Sequence, residues 1–219
     1  MQKQDVHLNN SQNEITTKQK ILMCATNLFA AKGYTETTIR EIASAVGLKG
    51  ASIYNHFPSK NAILECILED YRVYSTGDFD TEGIRAMLRE NATPDGILGC
   101  LQLAFPENKA EYLLKALCVI LQEQHRNFIV GSFISGNILR SEQYLKTVID
   151  LLKELHIIGQ DTDPDFWAKT ASSLFYAFSN RFLLGVGDNA LNFSGMGMED
   201  LLRALFDLML KTCPESSTY

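Results

Sequence analysis

TIREIASAVGLKGASIYNHFPSK, residues 38–60, reads as two short helices joined by a tight turn. Thr38 and Glu41 stand three apart ahead of an apolar repeat, which is the spacing of a capping box. Ala43 is small where two steeply crossed helices must touch, and Gly47 tolerates the positive φ that the turn demands. Ile42, Val46, Leu48 and Ile53 fall on one underside. The second helix, about Gly50 to His56, leaves Ser52, Tyr54, Asn55 and His56 outside, with Lys49 at its start. Donors and aromatics in place of a plain apolar stripe are the layout of a helix-turn-helix, whose second helix enters the major groove of DNA.

Working outward, residues 17–32 place Ile21, Ala25, Leu28 and Phe29 on one helical face. Thr16 and Gln19 form a second capping-box pair, Gly33 ends that helix, and Tyr34 can pack beneath it. Downstream, Ser59 after Pro58 can cap a fourth helix running to about Tyr74. It is apolar on two faces, with Ile63, Cys66 and Ile67 on one and Leu64 and Leu68 on the other. Such a helix lies between two packed bodies. Here it is expected to join a head to a larger body and to carry signals between them.

Chemistry divides the exposed residues of the head. Thr38 with its backbone amide, Lys49, Tyr54, His56 and Lys60 suit phosphate oxygens. Arg40 and Asn55 carry the donors or acceptors that read base edges. Gly50 and Ala51 are small enough for close backbone approach.

The stretch FAAKGYTETTIREIASAVGLKGASIYNHFPSKNAIL, residues 29–64, resembles the N-terminal domain of the tetracycline-repressor (TetR) family of bacterial regulators. The likeness spans roughly residues 18–66 without a gap. It implies an all-α fold, with a three-helix helix-turn-helix domain and a larger helical ligand-binding and dimerisation domain. It also puts Thr38, Arg40, Lys49, Ser52, Tyr54, Asn55, His56 and Lys60 at DNA-facing positions. Lys49 stands where many members have Ser or Thr, and Asn55 where an aromatic is common, so operator preference does not carry over. The implied partners are a palindromic double-stranded operator, a second copy of the chain and a small molecule. Release of the operator on ligand binding is the usual sense in this family. An activator or a redox-responsive regulator is the alternative, and no enzyme activity is implied.

Charge agrees with that division. The net charge is −6, but residues 1–60 carry seven Lys/Arg against four Asp/Glu, while residues 61–219 carry thirteen against twenty-two. A mildly basic head on an acidic body fits a DNA-binding head. The expected divisions are a polar, flexible arm at 1–15, a DNA-binding domain at 16–60 and a helical body at 61–212, with 61–74 as connecting helix. No stretch reaches the ~18 uninterrupted apolar residues of a membrane span, and the arm lacks the apolar run of a secretory signal. Cysteines 24, 66, 100, 118 and 213 show no paired spacing, which suggests reduced thiols in a cytoplasmic protein.

In the body, helices are expected over 81–91, 94–104, 107–124, 141–157, 164–184 and 198–212; the segment 125–139, with Gly131 and Gly136, resists assignment. Helix 198–212 has one charged row, Glu199, Arg203, Asp207 and Lys211, and is apolar around the rest. Helix 164–184 is similarly rich in apolar residues. Two such helices from each of two subunits would make a four-helix interface. Trp167, Leu174, Phe175, Phe178, Phe182, Leu202, Leu205, Phe206 and Met209 are its expected members. Polar or soft residues on otherwise apolar helices are the candidate ligand contacts: Met87, Cys100, Gln102, Tyr112, Cys118, Gln122, Tyr176 and Asn180. Their setting favours a hydrophobic or amphipathic small molecule.

No cofactor or metal is expected. Gly185-Val-Gly187-Asp-Asn-Ala190 matches a dinucleotide fingerprint but follows a helix instead of a strand. Asp161-Thr-Asp163-Pro-Asp165 resembles the start of a calcium loop, but Phe166 and Ser172 stand where Gly and Glu are needed. It reads better as a helix cap. Histidines 7, 56, 125 and 156 lack ligand spacing.

Overall fold

The computed structural model describes residues 15–75, 80–102, 107–183 and 197–214; the side chains of residues 75, 102, 107 and 181–183 lie outside that description. The expected N-terminal arm falls almost wholly outside it, as does the glycine-rich stretch with the dinucleotide-like motif. The described residues fold into α-helices: α1 Thr17–Lys32, α2 Ile39–Val46, α3 Gly50–Ile53, α4 Lys60–Ser75, α5 Thr81–Glu90, α6 Pro94–Gln102, α7 Ala110–Glu123, α8 Phe128–Glu154, α9 Pro164–Leu183 and α10 Met198–Thr212. A 3₁₀ turn, Glu107–Lys109, leads into α7, and the only β-pairing among the described residues is an isolated bridge from Ile158 to Pro214. The fold is therefore all-α, with the helix-turn-helix at the N-terminal end.

Local chemistry sets most helix starts. Gln19 N donates to Thr16 Oγ1 at 3.2 Å while Thr16 N donates to Gln19 Oε1 at 2.8 Å, completing the capping box of α1. Thr38 and Glu41 repeat the device at α2. Ser59 Oγ accepts from Ala62 N at 3.1 Å ahead of α4. Asp163 Oδ1 accepts from the amides of Asp165 and Phe166, so the calcium-like motif is a cap for α9.

The main departure is α8. It begins at Phe128, not near 141, and ends at Glu154. Asn127 caps it, its Oδ1 accepting from Ile129 N at 3.0 Å. The two glycines weaken a helix by about 1 kcal/mol each relative to alanine, too little against a buried stripe that runs from Val130 through Asn137 and Tyr144 to Leu152. A side chain at Gly131 would press within 3.2 Å of Gln124 O, whereas Gly136 faces open space.

Two apolar clusters organise the molecule. The first unites Ile21, Ala25, Phe29, Ile42, Ile53 and Phe57 of the head with Ile63 to Tyr71 of α4 and with Leu113, Ala116, Val119 and Ile120 of α7. The second joins Ile84 and Leu88, Ile97 and Cys100, Tyr144 to Leu152, Trp167 to Ala171, and Leu202, Phe206 and Met209. Helix α8 spans both, giving Val130 to the first and its C-terminal half to the second.

This arrangement changes the expected interface. Trp167, Phe178, Leu202, Phe206 and Met209 are buried within a single chain. Most of their surface is covered by the chain's own helices, which periodicity alone does not reveal. Leu174, Phe175 and Leu205 remain half-buried, and the side chain of Phe182 lies outside the described set. In the charged row of α10, Arg203 Nε reaches Asp95 of α6 at 2.7 Å, and Lys211 pairs with Asp207 along the helix at 2.6 Å.

Candidate nucleic-acid interface

The turn between α2 and α3 has the geometry its residues ask for. Gly47 sits at φ 77°, ψ 26°, in the left-handed region. Leu48 N donates to Ala43 O at 2.8 Å and Gly47 N to Ser44 O at 3.1 Å, closing the end of α2 in a Schellman-type cap. A side chain at 47 would meet nothing within 4 Å, so backbone conformation, not space, requires glycine there.

Helix α3 is shorter than the sequence suggests. Four residues are α-helical, and the chain then continues as a tightened turn: Tyr54 N donates to Ala51 O, Asn55 N to Ser52 O and His56 N to Ile53 O. Ile53 and Phe57 are buried, which anchors the segment to the head. Lys49, Tyr54, Asn55 and His56 are exposed and Ser52 is half-buried. Arg40 is exposed on α2, and its Cγ lies 3.6 Å from where a side chain at Gly50 would begin. The base-reading candidate of α2 thus lies beside the start of α3.

Two phosphate candidates have other partners. The Thr38 amide donates to Glu41 Oε2 at 2.7 Å, so the helix start is already capped. Glu41 in turn pairs with Lys32, and these hydrogen bonds hold its carboxyl down at about 2. Lys60 Nζ donates to Tyr34 O and Thr37 O, both at 2.9 Å, and more weakly to Thr35 O, while lying 4.3 Å above the Tyr34 ring. Its donors clamp the α1–α2 connection, which makes Lys60 a positioning residue for the surface. Lys18, not singled out from sequence, lies 5.4 Å over the ring of Phe57, at the end of the recognition segment. Its signal was only that of a cation in the first turn of α1.

The head is locked to the body by more than α4. The most extensive head–body packing is α1 against α7. Gln122 Nε2 of α7 donates to Ala30 O of α1 at 3.1 Å, and within the body Tyr112 Oη of α7 donates to Asp70 Oδ2 of the connecting helix α4 at 2.8 Å. Burial, with the neighbouring Asp70 carboxylate, pushes the Tyr112 phenol up. Both residues were expected to touch ligand; the structure uses them as ties.

The other ligand candidates do not converge on one place. Met87 and Cys100 belong to the second cluster, where Tyr144 Oη donates to Cys100 O. Cys118 is half-buried on α7, and the Gln102 side chain lies outside the described set. Burial raises the Cys100 thiol to about 11 and lifts Cys118 in the same direction, so neither is an activated thiolate. Tyr176 and Asn180 lie together on α9, where Asn180 Oδ1 accepts from Gln124 Nε2 at 2.7 Å.

The family profile described as bacterial regulatory proteins, tetR family, matches residues 21–67. That stretch of the chain is similar to the DNA-binding region of the TetR family. It is 37% identical over 54 residues to the transcriptional repressor KstR2 of Mycolicibacterium smegmatis, covering 25% of this chain and 26% of that one. It is 50% identical over 48 residues to IcaR of Staphylococcus aureus, a negative regulator of the biofilm operon, covering 22% and 26%. The chain thus matches about a quarter of the length of these curated relatives. Across the whole fold it is similar to a TetR-family regulator from Mesorhizobium loti, with a TM-score of 0.61 and 21% identity over 90% of this chain and 94% of that one. The TetR relatives are regulators, not enzymes. Among the described residues no helix is long and apolar enough to cross a membrane.

Proposed function

We propose that this protein is a TetR-family, sequence-specific DNA-binding transcriptional regulator that works in the cytoplasm as a homodimer on a palindromic operator. The observation that carries the reading is the Gly47 turn, which aims Lys49, Tyr54, Asn55 and His56 outward beside Arg40. Arg40 and Asn55 read base edges; Lys49, Ser52, Tyr54 and His56, with Lys18 at the margin, hold phosphates, while the donors of Thr38 stay with Glu41. Lys60 fixes the turn that supports them. The head alone is too small to reach a second half-site, and the apolar residues left outward on α10 and α9, Leu201, Leu205, Leu208 and Phe166, supply a face for a second copy.

Regulation follows from the shared core. A small hydrophobic or amphipathic molecule that favours one packing of the body shifts α7, and α1 moves with it through Gln122 and the first cluster. A coupling of ~1–3 kcal/mol changes operator affinity by about 5- to 150-fold. Repression relieved by ligand is the favoured sense.

A gel-shift titration on the DNA upstream of the protein's own coding sequence tests the reading. Specific retention that falls steeply as salt rises is expected, as counterion release requires. A monomer in solution with no preference over random competitor would overturn it; a reporter fused to the same DNA separates repression from activation.

A further inference from the structure

Among the described residues the most exposed large apolar side chains are Phe128, at 88%, and Leu139, at 67%, and both belong to α8. They stand about three turns apart on one side of that helix, away from the buried Val130, Asn137 and Tyr144. Ser132, Ser135 and Gly136 are exposed between them on the same strip. Ser135 Oγ donates to Gly131 O at 3.2 Å, so its hydroxyl is turned back onto its own helix. The strip therefore has two apolar posts with a shallow, uncharged saddle between them.

Gly136 is the residue that calls for a partner. Glycine weakens an exposed helix relative to alanine. Residue 136 lies within the helix, and a side chain there would meet nothing within 4 Å, so neither a turn nor packing inside the chain requires glycine. Gly131 differs, because Gln124 O leaves little room beside it. What a bare helix surface gains from glycine is close approach by a second backbone.

The strip is also complementary to itself. Laid antiparallel about a two-fold axis, α8 of one copy puts Phe128 opposite Leu139 of the other. The same register puts Ser132 opposite Ser135 and Gly131 opposite Gly136. It brings His125 and Arg126, exposed ahead of the helix, towards Glu142 of the other copy. Each apolar post thus meets its counterpart beyond a run of small residues, and cations meet a carboxylate at both ends. Such reciprocal pairing is what a two-fold contact between identical chains requires.

We propose that the N-terminal half of α8 is a second self-association face, separate from the α9–α10 face, through which two copies pair by an antiparallel α8–α8 contact. Together the two faces join four chains, and so two pairs of heads. One helix pair buries less surface than a stable stand-alone interface, so the α8 contact forms as concentration rises.

Sedimentation velocity of the full-length, DNA-free protein, from micromolar to submillimolar concentration, tests this. The parent should pass from two chains to four. Gly136→Leu fills the saddle; it should keep or raise the thermal midpoint of the dilute protein and weaken the last step at least about tenfold. Phe128→Ser removes a post and should weaken the same step. Arg126→Glu should weaken it as well, and adding Glu142→Arg should restore it. Leu208→Arg, on α10, should remove only the other step and leave pairs held through α8. If the α9–α10 reading fails, the parent passes from one chain to two, and that step still responds to Gly136→Leu and not to Leu208→Arg. The proposal is overturned if no association step responds to both Gly136→Leu and Phe128→Ser, if Arg126→Glu weakens nothing, or if the double charge reversal restores nothing.

Discussion

The cluster around Phe29 takes residues from both sides of the line between head and body, whereas the cluster around Phe206 draws only on the body. Both contain fully buried phenylalanines and both would collapse without them. Their consequences for DNA differ. A change in the first cluster acts on the recognition segment directly, because Ile53 and Phe57 belong to the same packed unit. A change in the second must travel to the head through helices such as α8 that contribute to both clusters.

The largest effect that can break this comparison comes from Phe29→Ala. Phe29 is fully buried and stacks edge-on with Tyr34, centroids 5.1 Å apart. Truncation should cost about 3–5 kcal/mol in urea unfolding. Because the core is shared, far-ultraviolet dichroism and a fluorophore placed on α7 should report one transition with a common midpoint. Two separated transitions would show that the head folds alone and that the shared cluster does not couple it to the body.

Arg40→Ala comes next and sharpens the division of labour on the surface. Arg40 is exposed, so folding should be nearly unaffected. Operator affinity should fall by about 1–3 kcal/mol, with specificity relaxed at the position it reads. Lys49→Ala should instead weaken all sequences alike and reduce the salt slope by about one. Salt-dependent gel shifts on operator and random duplex separate the two; an unchanged ratio of specific to non-specific binding in Arg40→Ala would remove that residue from base reading.

What the sequence made legible follows the range of the interactions. The capping boxes at Thr16 and Thr38, the Gly47 turn and the Ser59 cap are made within three to five residues, and each is found where the spacing puts it. The start of α8 was hidden because Gly131 and Gly136 mimic a loop, and the Asn127 cap that overrides them is a single residue. The ligand candidates were chosen as polar residues on apolar helices, which cannot distinguish a tie from a contact. Tyr112 and Gln122 turned out to face Asp70 and Ala30, partners 42 and 92 residues away. Asn137, buried on α8, lay in the segment that resisted assignment.

Two glycines of the head allow a finer contrast. Gly47→Ala forces an L side chain into the left-handed region at a cost of about 1–2 kcal/mol. Gly50→Ala stands at a helical position where the new Cβ meets Arg40 Cγ at an ordinary 3.6 Å. It should leave stability unchanged or raise it by up to about 1 kcal/mol. Thermal unfolding of the pair checks the ordering. Equal destabilisation would mean that the turn does not depend on the φ of residue 47.

The smallest effect concerns acid. Glu41 is fully exposed, yet its hydrogen bonds to Lys32 and Thr38 lower its carboxyl from the usual 4.5 to about 2. A folded-state value below the unfolded one means that the pair stabilises the head above the unfolded value, and that this contribution is lost as pH falls through the folded one. The window is therefore between about 4.5 and about 2. Exposure and salt screening keep the effect small. Glu41→Gln keeps an acceptor for the cap and removes the charge. Its thermal midpoint should differ from the parent's at neutral pH and converge with it towards pH 2, with the gap narrowing as salt is added. A gap that persists at the acid end would assign the contribution of Glu41 to cap geometry and not to its charge.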